Sequence, residues 1–123
     1  MSEQAEQLKD RSMRFALDVC VLIKQLPSSE PGPTVRRQLA KSATSVAFNY
    51  RASCRARSHS EFTAKLGTVA EESDESLGWL EFIEDAKLIQ SDELTRLTKE
   101  ARELLAVFSA SVGTARRKER HGR

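Results

Sequence analysis

Apolar residues recur at alternating steps of three and four positions in four separate segments of this sequence, and this periodicity is its strongest constraint on the fold. Such steps bring side chains to one face of an α-helix, whereas a half-buried strand alternates at every second residue. The pattern predicts helices over about residues 3–26, 34–55, 59–87 and 92–115. Each helix would bury one stripe and keep its other side polar.

The links between these segments carry turn and capping residues. All three prolines lie between Leu26 and Thr34, the clearest break in the chain. Ser58 and Glu61 have capping-box spacing, which predicts that the serine hydroxyl accepts from the Glu61 N–H and that the Glu61 carboxylate accepts from the Ser58 N–H. Ser91 is placed to cap the fourth helix.

Four amphipathic helices joined by short links predict an all-α fold, an up-down-up-down four-helix bundle. The length of 123 residues suits a single domain. We place the bundle over residues 1–117 and expect residues 118–123 to form a basic, disordered tail.

Three aromatic residues, Phe48, Trp79 and Phe82, fall outside the apolar stripes. On a helical wheel Phe48 lies almost opposite Leu39, and Phe82 almost opposite Leu66, so an isolated subunit would expose both. We interpret the three as subunit-interface residues. The alternative is that each lies flat beneath long charged side chains.

Charge is segregated along the chain although the net charge is only +2. Seven basic residues and one acid, Glu61, lie between Arg36 and Lys65, and the next block, Glu71 to Asp85, contains seven acids and no base. A basic run closes the sequence. A modest net charge therefore hides a dipolar pattern, which favours local rather than global attraction to an anionic partner.

One face of the second predicted helix is basic. Spacings of three and four align Arg37, Lys41, Arg51 and Arg55, and Arg57 continues the row into the following loop. Closely spaced cations next to an aromatic suit phosphates and an unpaired base. The alternative is that these five residues, which we name the basic strip, pair with acids of the third helix such as Glu71 and Glu75.

The sequence argues against an enzyme. Its two histidines, His59 and His121, have no nucleophile or acid at a readable spacing, and no pair of Glu-x-x-His motifs is present to hold two metals. Gly67 and Gly78 are single glycines within a helix, more typical of close packing than of a phosphate loop. We expect no catalytic residue, no cofactor and no metal site.

Three further residues have structural interpretations. Cys20 and Cys54 are far apart in sequence and are typical of small buried side chains rather than of a disulfide. Asn49 lies at the edge of an apolar stripe, where an amide usually fixes register or bonds to a neighbouring helix and sometimes binds a ligand.

The first residues are polar and no apolar run approaches the roughly 20 residues of a membrane span. We therefore expect a cytoplasmic protein without membrane contact.

One run of residues is similar to a known family. The positions are Gln38, Leu39, Ala43, Ser45, Val46, Asn49, Arg57, Ser58, Glu61, Phe62, Leu66, Ala70, Ser73 and Leu77. Together they resemble the bacterial four-helix bundle proteins related to those encoded in 23S rRNA intervening sequences. Many relatives follow the asparagine with x-x-Glu-Gly, where this chain has Ala52 and Ser53.

The resemblance implies a left-handed bundle that assembles as a ring, typically a homopentamer. A relative, the accessory protein of diversity-generating retroelements, is a basic pentamer that associates with a reverse transcriptase and with nucleic acid. We therefore expect a non-enzymatic oligomeric scaffold whose basic strip binds RNA, DNA or a nucleic-acid-handling protein. The alternative is a structural ring in which the strip pairs with the acidic face of a neighbouring subunit and has no nucleic-acid role.

Overall fold

The computed structural model describes residues 2–121, and every regular element in that part of the chain is helical. Short links join the helices, and one turn of 3-10 helix, Ile23–Gln25, follows the first. The four helices are α1 (Glu3–Leu22), α2 (Gly32–Cys54), α3 (His59–Asp85) and α4 (Asp92–His121). The predicted all-α, four-helix fold is confirmed.

The predicted helix boundaries lie within two residues of those in the structure at six of the eight helix ends, and they differ at the ends of α1 and α4. α1 ends at Leu22, before the 3-10 turn, whereas we placed its end near residue 26. α4 continues to His121, through the basic residues that we assigned to a disordered tail. The expectation of disorder over residues 118–121 therefore differs from the structure. Residues 122 and 123 of that tail lie outside the described part of the chain.

Neighbouring helices run in opposite directions, as paired contacts along them show. The ring Nε2 of His59, at the start of α3, lies 2.9 Å from the carbonyl oxygen of Ala115 near the end of α4. Arg102 in α4 pairs with Glu81 late in α3. In space, α3 packs against both α2 and α4, while α1 packs on α2 and less extensively on α4. The left-handed twist stays an expectation from the family resemblance.

The core is built from the predicted stripes of all four helices. Leu22, Leu39, Leu66 and Leu104 are buried almost completely, one from each helix. Burial of such side chains contributes roughly 1.5–3 kcal/mol each. The sequence reading placed the packing faces correctly because helical periodicity is a local property.

A pair of serines forms a polar contact inside this core that the sequence analysis did not single out. Ser76 of α3 donates from Oγ to Oγ of Ser42 in α2 over 2.9 Å, and both side chains are buried. A buried hydroxyl without a partner would cost free energy, so the pair favours one register of α3 on α2.

The link between α1 and α2 is held by one arginine and one glycine. Arg36 donates from Nε to the carbonyl oxygen of Ile23 and from Nη2 to that of Leu26, at 3.3 and 3.0 Å, satisfying carbonyls at the end of α1. A Cβ on the buried Gly32 would lie 1.9 Å from the Pro27 carbonyl oxygen, so only glycine fits. Arg36 is therefore a structural residue rather than part of the basic face.

Arginine–carboxylate pairs join α1 to α4. Arg11 donates from Nε and Nη2 to the two carboxylate oxygens of Glu100, at 2.8 and 2.6 Å, and from Nη2 to Glu103 at 2.9 Å. Arg96 pairs with Asp18 at 2.8 Å and with Glu93. We call these residues the α1–α4 seam.

Candidate nucleic-acid interface

The basic strip divides into two halves with different surroundings. In the first half, Arg37 donates to the Thr34 hydroxyl over 3.4 Å and lies close to Glu30. Hydrogen bonds from Thr34, and then the charge of Arg37, hold the pKa of Glu30 below its usual range. The charge of Arg37 is therefore partly balanced within its own chain.

Lys41, also in the first half, faces the acids of α3. Burial and the neighbouring Glu75 raise the pKa of Glu72, whereas Lys41 acts in the opposite direction and lowers it. The charge of Lys41 therefore acts on Glu72, and not through an ion pair with the Glu71 and Glu75 that we named from the sequence: none of the ion pairs among residues 2–121 includes Lys41.

The second half of the strip is open. Arg51, Arg55 and Arg57 are exposed, and none of the ion pairs among residues 2–121 includes them. They surround a shallow depression of about 440 Å³ at the turn between α2 and α3, which we name the corner pocket. Its lining residues are Phe48, Arg51, Ala52, Arg55, Arg57, Glu61 and Lys65.

The start of α3 fixes one wall of this pocket. Ser58 Oγ accepts from the Glu61 N–H at 3.1 Å, as predicted. The reciprocal bond was predicted wrongly, because the Glu61 carboxylate accepts from the main-chain N–H of Arg57 at 3.1 Å and not from that of Ser58. The loop N–H of Arg57 points back toward the helix start, so the bond holds both Arg57 and the pocket's acid in place.

Phe48 supplies the apolar surface of the pocket. Its side chain is 55% exposed, as its position opposite the buried Leu39 predicted. Ala52 lies one turn further along α2 and also lines the pocket. Because alanine ends at its methyl group, this position adds neither bulk nor negative charge beside the ring.

The other two predicted interface residues lie elsewhere, on α3. Phe82 is 42% exposed and packs edge-to-face on the half-buried Trp79, with ring centroids 5.8 Å apart. Gly78 lies on the same side of α3 as Phe82, and a Cβ there would meet no atom within 4 Å. Gly78 is therefore no close-packing point among residues 2–121, contrary to the sequence interpretation. A role of Phe48, Trp79 and Phe82 in subunit contact stays a prediction.

The sequence analysis missed one exposed apolar pair. Leu17 and Val21 of α1 are 56% and 61% exposed. They lie four positions apart, on the side of α1 away from the buried Phe15, Val19 and Leu22, so the helical wheel that identified Phe48 would have identified them as well.

Asn49 does not reach a neighbouring helix. It is half-buried, and its Nδ2 donates to the carbonyl oxygen and the hydroxyl of Ser45, at 3.0 and 2.8 Å. Of the roles considered for this amide, the hydrogen bond to a neighbouring helix is not the one that the structure shows, since both bonds stay within α2.

A second, larger depression of about 520 Å³ lies at the same end of the bundle, between the start of α1, the start of α3 and the end of α4. His59 and Phe62 contribute to its wall, and Lys118 is its one lysine or arginine. His59 is exposed, and its ring Nε2 is engaged with the Ala115 carbonyl. This depression therefore lacks the concentrated charge of the corner pocket.

The antiparallel packing also brings the basic end of α4 to this end of the molecule. Arg116 lies beside α3, where its Nη2 would be 3.5 Å from a Cβ on Gly67. Arg117, Lys118 and Arg120 follow in the last turns of α4. Two basic segments far apart in sequence thus share one end of the bundle.

Other chemistry finds no support among residues 2–121. Within that range, histidine, cysteine, aspartate and glutamate side chains form no group of three or more that could hold a metal ion. Cys20 and Cys54 are free and half-buried. None of the described helices combines the length and the apolar character that crossing a membrane requires.

Comparison with known proteins agrees with the fold. A solved structure from Bacteroides thetaiotaomicron, described as a protein with unknown function from the S23 ribosomal protein family, matches with a TM-score of 0.77 and 25% identity. The match covers 85% of this chain and 97% of the other. No protein with a curated description matches the sequence. The profile of the 23S rRNA-intervening sequence protein family matches residues 5–110, and this chain therefore belongs to that family.

Proposed function

We propose that this protein is a non-enzymatic, oligomeric scaffold that binds nucleic acid at the corner pocket. The observation that carries the proposal is the group of four cations, Arg51, Arg55, Arg57 and Lys65, gathered around an exposed phenylalanine, none of which forms an ion pair with another of residues 2–121. Unpaired like charges repel one another, so a fold that keeps them together gains most from an anionic partner.

Phosphate binding at this site follows from counterion release. Arg51 and Arg55 lie four positions apart on one helix face, about 6 Å along the axis at 1.5 Å per residue. Cations at such spacing displace counterions condensed on a nucleic acid, which makes affinity fall steeply with salt. Arginine adds planar, bidentate hydrogen bonding to phosphate.

The end of α4 supports the same proposal at longer range. Arg116, Arg117, Lys118 and Arg120 lie at the same end of the bundle as the corner pocket. Like-signed charge over one end of a molecule attracts polyanions before contact, and this attraction weakens as salt increases. The corner pocket would then bind the nucleic acid, and the end of α4 would steer the nucleic acid toward the pocket.

The proposal does not rest on the family's name. The family description refers to an intervening sequence of 23S rRNA, and the solved relative is described as having unknown function.

The test compares the arginines of the corner pocket with arginines that form ion pairs elsewhere in the bundle. Changing Arg51, Arg55 and Arg57 together to alanine should reduce the slope of log affinity against log salt by about 2 to 3, because three phosphate contacts are lost. The matched control changes Arg11, Arg96 and Arg102 to alanine, which removes the same charge from paired sites. A fluorescently labelled RNA of mixed sequence, titrated at several salt concentrations, provides the measurement.

Purified wild-type protein should also carry nucleic acid, visible at 260 nm because the chain has one Trp and one Tyr. Equal slopes for the two triple variants would overturn the proposal.

A second candidate function is a structural ring without a nucleic-acid role. It is favoured by the outer side of α3, where the acids Glu71 and Glu75 accompany the exposed Phe82 and Gly78. The basic strip of one subunit would pair with this acidic side of the next, and Phe48, Trp79 and Phe82 would be buried in the contact. A pentamer is the assembly implied by the family resemblance.

The two candidates differ in what the arginine triple variant loses. In the ring without nucleic acid, replacing Arg51, Arg55 and Arg57 disrupts assembly, seen as a lower mass by light scattering after size exclusion. In the proposed scaffold the variant keeps its mass and loses affinity.

A further inference from the structure

We propose that the corner pocket binds a single-stranded stretch of nucleic acid, with one unpaired base stacked on Phe48 and the flanking phosphates on Arg51, Arg55 and Arg57. This inference rests on the proposed function and specifies the form of nucleic acid that the site accepts.

The arrangement along α2 carries the first step. Phe48 precedes Arg51 by three positions and Arg55 by seven, so all three lie on one helix face. More than half of the Phe48 side chain is open to solvent. Ala52, between the two arginines in sequence, leaves room beside the ring. A flat, apolar surface flanked by cations is the combination that single-strand-binding proteins use, with aromatic rings for bases and basic groups for the backbone.

A duplex does not fit this arrangement. In a double helix both faces of each base are already stacked, so Phe48 would meet sugar and phosphate instead of a base. α2 is packed against α1 on one side and α3 on the other, which leaves a narrow exposed face at the bundle's corner. Reading a duplex groove would require that face to enter the groove, and Phe48 has no donor or acceptor for a base edge.

The pocket's single acid contributes to the binding geometry. The carboxylate of Glu61 is fixed by the main-chain N–H of Arg57 and lies on the α3 side of the pocket. It repels phosphate, so the nucleic-acid backbone would follow the α2 side, where Arg51 and Arg55 lie. Stacking on phenylalanine makes no hydrogen bond to the base, and binding should therefore tolerate different sequences.

Two leucine variants test the stacking. Phe48→Leu keeps an apolar side chain and removes the ring, and Phe82→Leu makes the same change at the other exposed phenylalanine. The probe is a labelled single strand of about 12 nucleotides, within the range of known single-strand sites. The same strand annealed to its complement is the second probe, and a strand of equal length whose central nucleotides lack bases is the third.

We expect wild type to bind the single strand more tightly than the duplex at equal salt. Phe48→Leu should weaken single-strand binding by roughly 5- to 150-fold, the range for losing one base stack. The slope against salt should not change, because no charge is removed. Phe82→Leu should bind as wild type does. The baseless strand should bind wild type as weakly as the complete strand binds Phe48→Leu.

The baseless strand keeps the test decisive even if Phe48→Leu alters assembly, since that probe leaves the protein unchanged. Equal affinity of wild type for the complete and the baseless strand would overturn the inference, as would duplex binding as tight as single-strand binding. If either result occurs while the triple arginine variant still loses affinity, the proposed function stands and only the single-strand inference fails. If the triple arginine variant binds as wild type does, both fail.

Discussion

The α1–α4 seam and the corner pocket are both rich in arginine, and they use it in opposite ways. In the seam, Arg11 holds Glu100 through two hydrogen bonds and Arg96 pairs with Asp18. In the corner pocket, Arg51, Arg55 and Arg57 have no ion pair with any of residues 2–121, and the one acid there is bonded to a main-chain N–H.

The difference comes from what the neighbouring helix presents. Each seam arginine meets a carboxylate of the other helix, Arg11 of α1 with Glu100 of α4 and Arg96 of α4 with Asp18 of α1, so the seam is neutralised within the chain. The first turns of α3 offer Lys65 as well as Glu61 to the end of α2, so positive charge there exceeds negative charge. A row of arginines is therefore a sign of a binding site only where the facing element does not neutralise it.

The largest expected effect comes from making the corner pocket resemble the seam. Ala52→Glu places a carboxylate three positions before Arg55 and next to Phe48, where it would pair with arginine and repel phosphate. We expect nucleic-acid affinity to fall about tenfold, equivalent to about 1.4 kcal/mol. Ala52→Gln, with the same length and no charge, is the control, and fluorescence anisotropy titration is the measurement. Equal affinities for the two variants would contradict the electrostatic account.

A smaller effect is expected from the same substitution, arginine to methionine, made separately in the seam and in the corner pocket. Arg11→Met should lower the free energy of unfolding by about 1 kcal/mol, because the two-pronged pair with Glu100 is lost. Arg55→Met should change it by no more than about 0.5 kcal/mol, because no ion pair is removed. Urea denaturation of both variants measures the difference. A loss at Arg55 as large as that at Arg11 would show that the corner arginines are engaged in the fold.

The smallest effect concerns Glu72, which faces the first half of the basic strip. Burial and then Glu75 raise its pKa above the ordinary value of 4.5. The folded state therefore keeps this proton to higher pH than the unfolded state does, and stability falls as pH rises through the interval just above 4.5. Glu72→Gln should remove this loss and stabilise the protein at neutral pH by about 0.2–0.5 kcal/mol, a small value because the carboxyl keeps contact with water.

The check is urea denaturation of wild type and Glu72→Gln at neutral pH and at a pH below that interval. The two proteins should differ at neutral pH and converge in acid. A variant that is less stable than wild type at neutral pH would mean that the attraction between Glu72 and Lys41 outweighs burial.

Much of the fold could be predicted because its determinants are local. The stripe that includes Leu39 and the cap at Ser58 depend on residues within a turn or two of each other, and both were found in the structure. The second bond of the capping box was assigned to the wrong N–H. Ser58 and Arg57 are adjacent, and the direction of the loop backbone, which the spacing does not give, decides whose N–H meets the Glu61 carboxylate. The partner of Asn49 could not be predicted for a related reason, because a side-chain amide at a stripe's edge can bond either within its helix or across to another.

The candidate site was only partly predictable. The five cations of the basic strip and the exposed Phe48 were identified from spacing alone. The division of the strip was not, because it depends on Glu30, Glu72 and Lys65, which belong to other segments. The position of the end of α4 near the corner pocket could not be predicted either, because it depends on how α4 packs against α3.

By itself, the sequence determined where the helices begin, which faces are apolar and which face of α2 is basic, because periodicity and capping act over a few neighbouring residues. Only the tertiary structure decided which arginines are neutralised. Arg11 meets Glu100 across 89 positions of sequence, and such a pair forms only when helix packing brings the two charges within hydrogen-bond distance. Within the described part of the chain, the same packing leaves Arg51, Arg55 and Arg57 without a carboxylate partner.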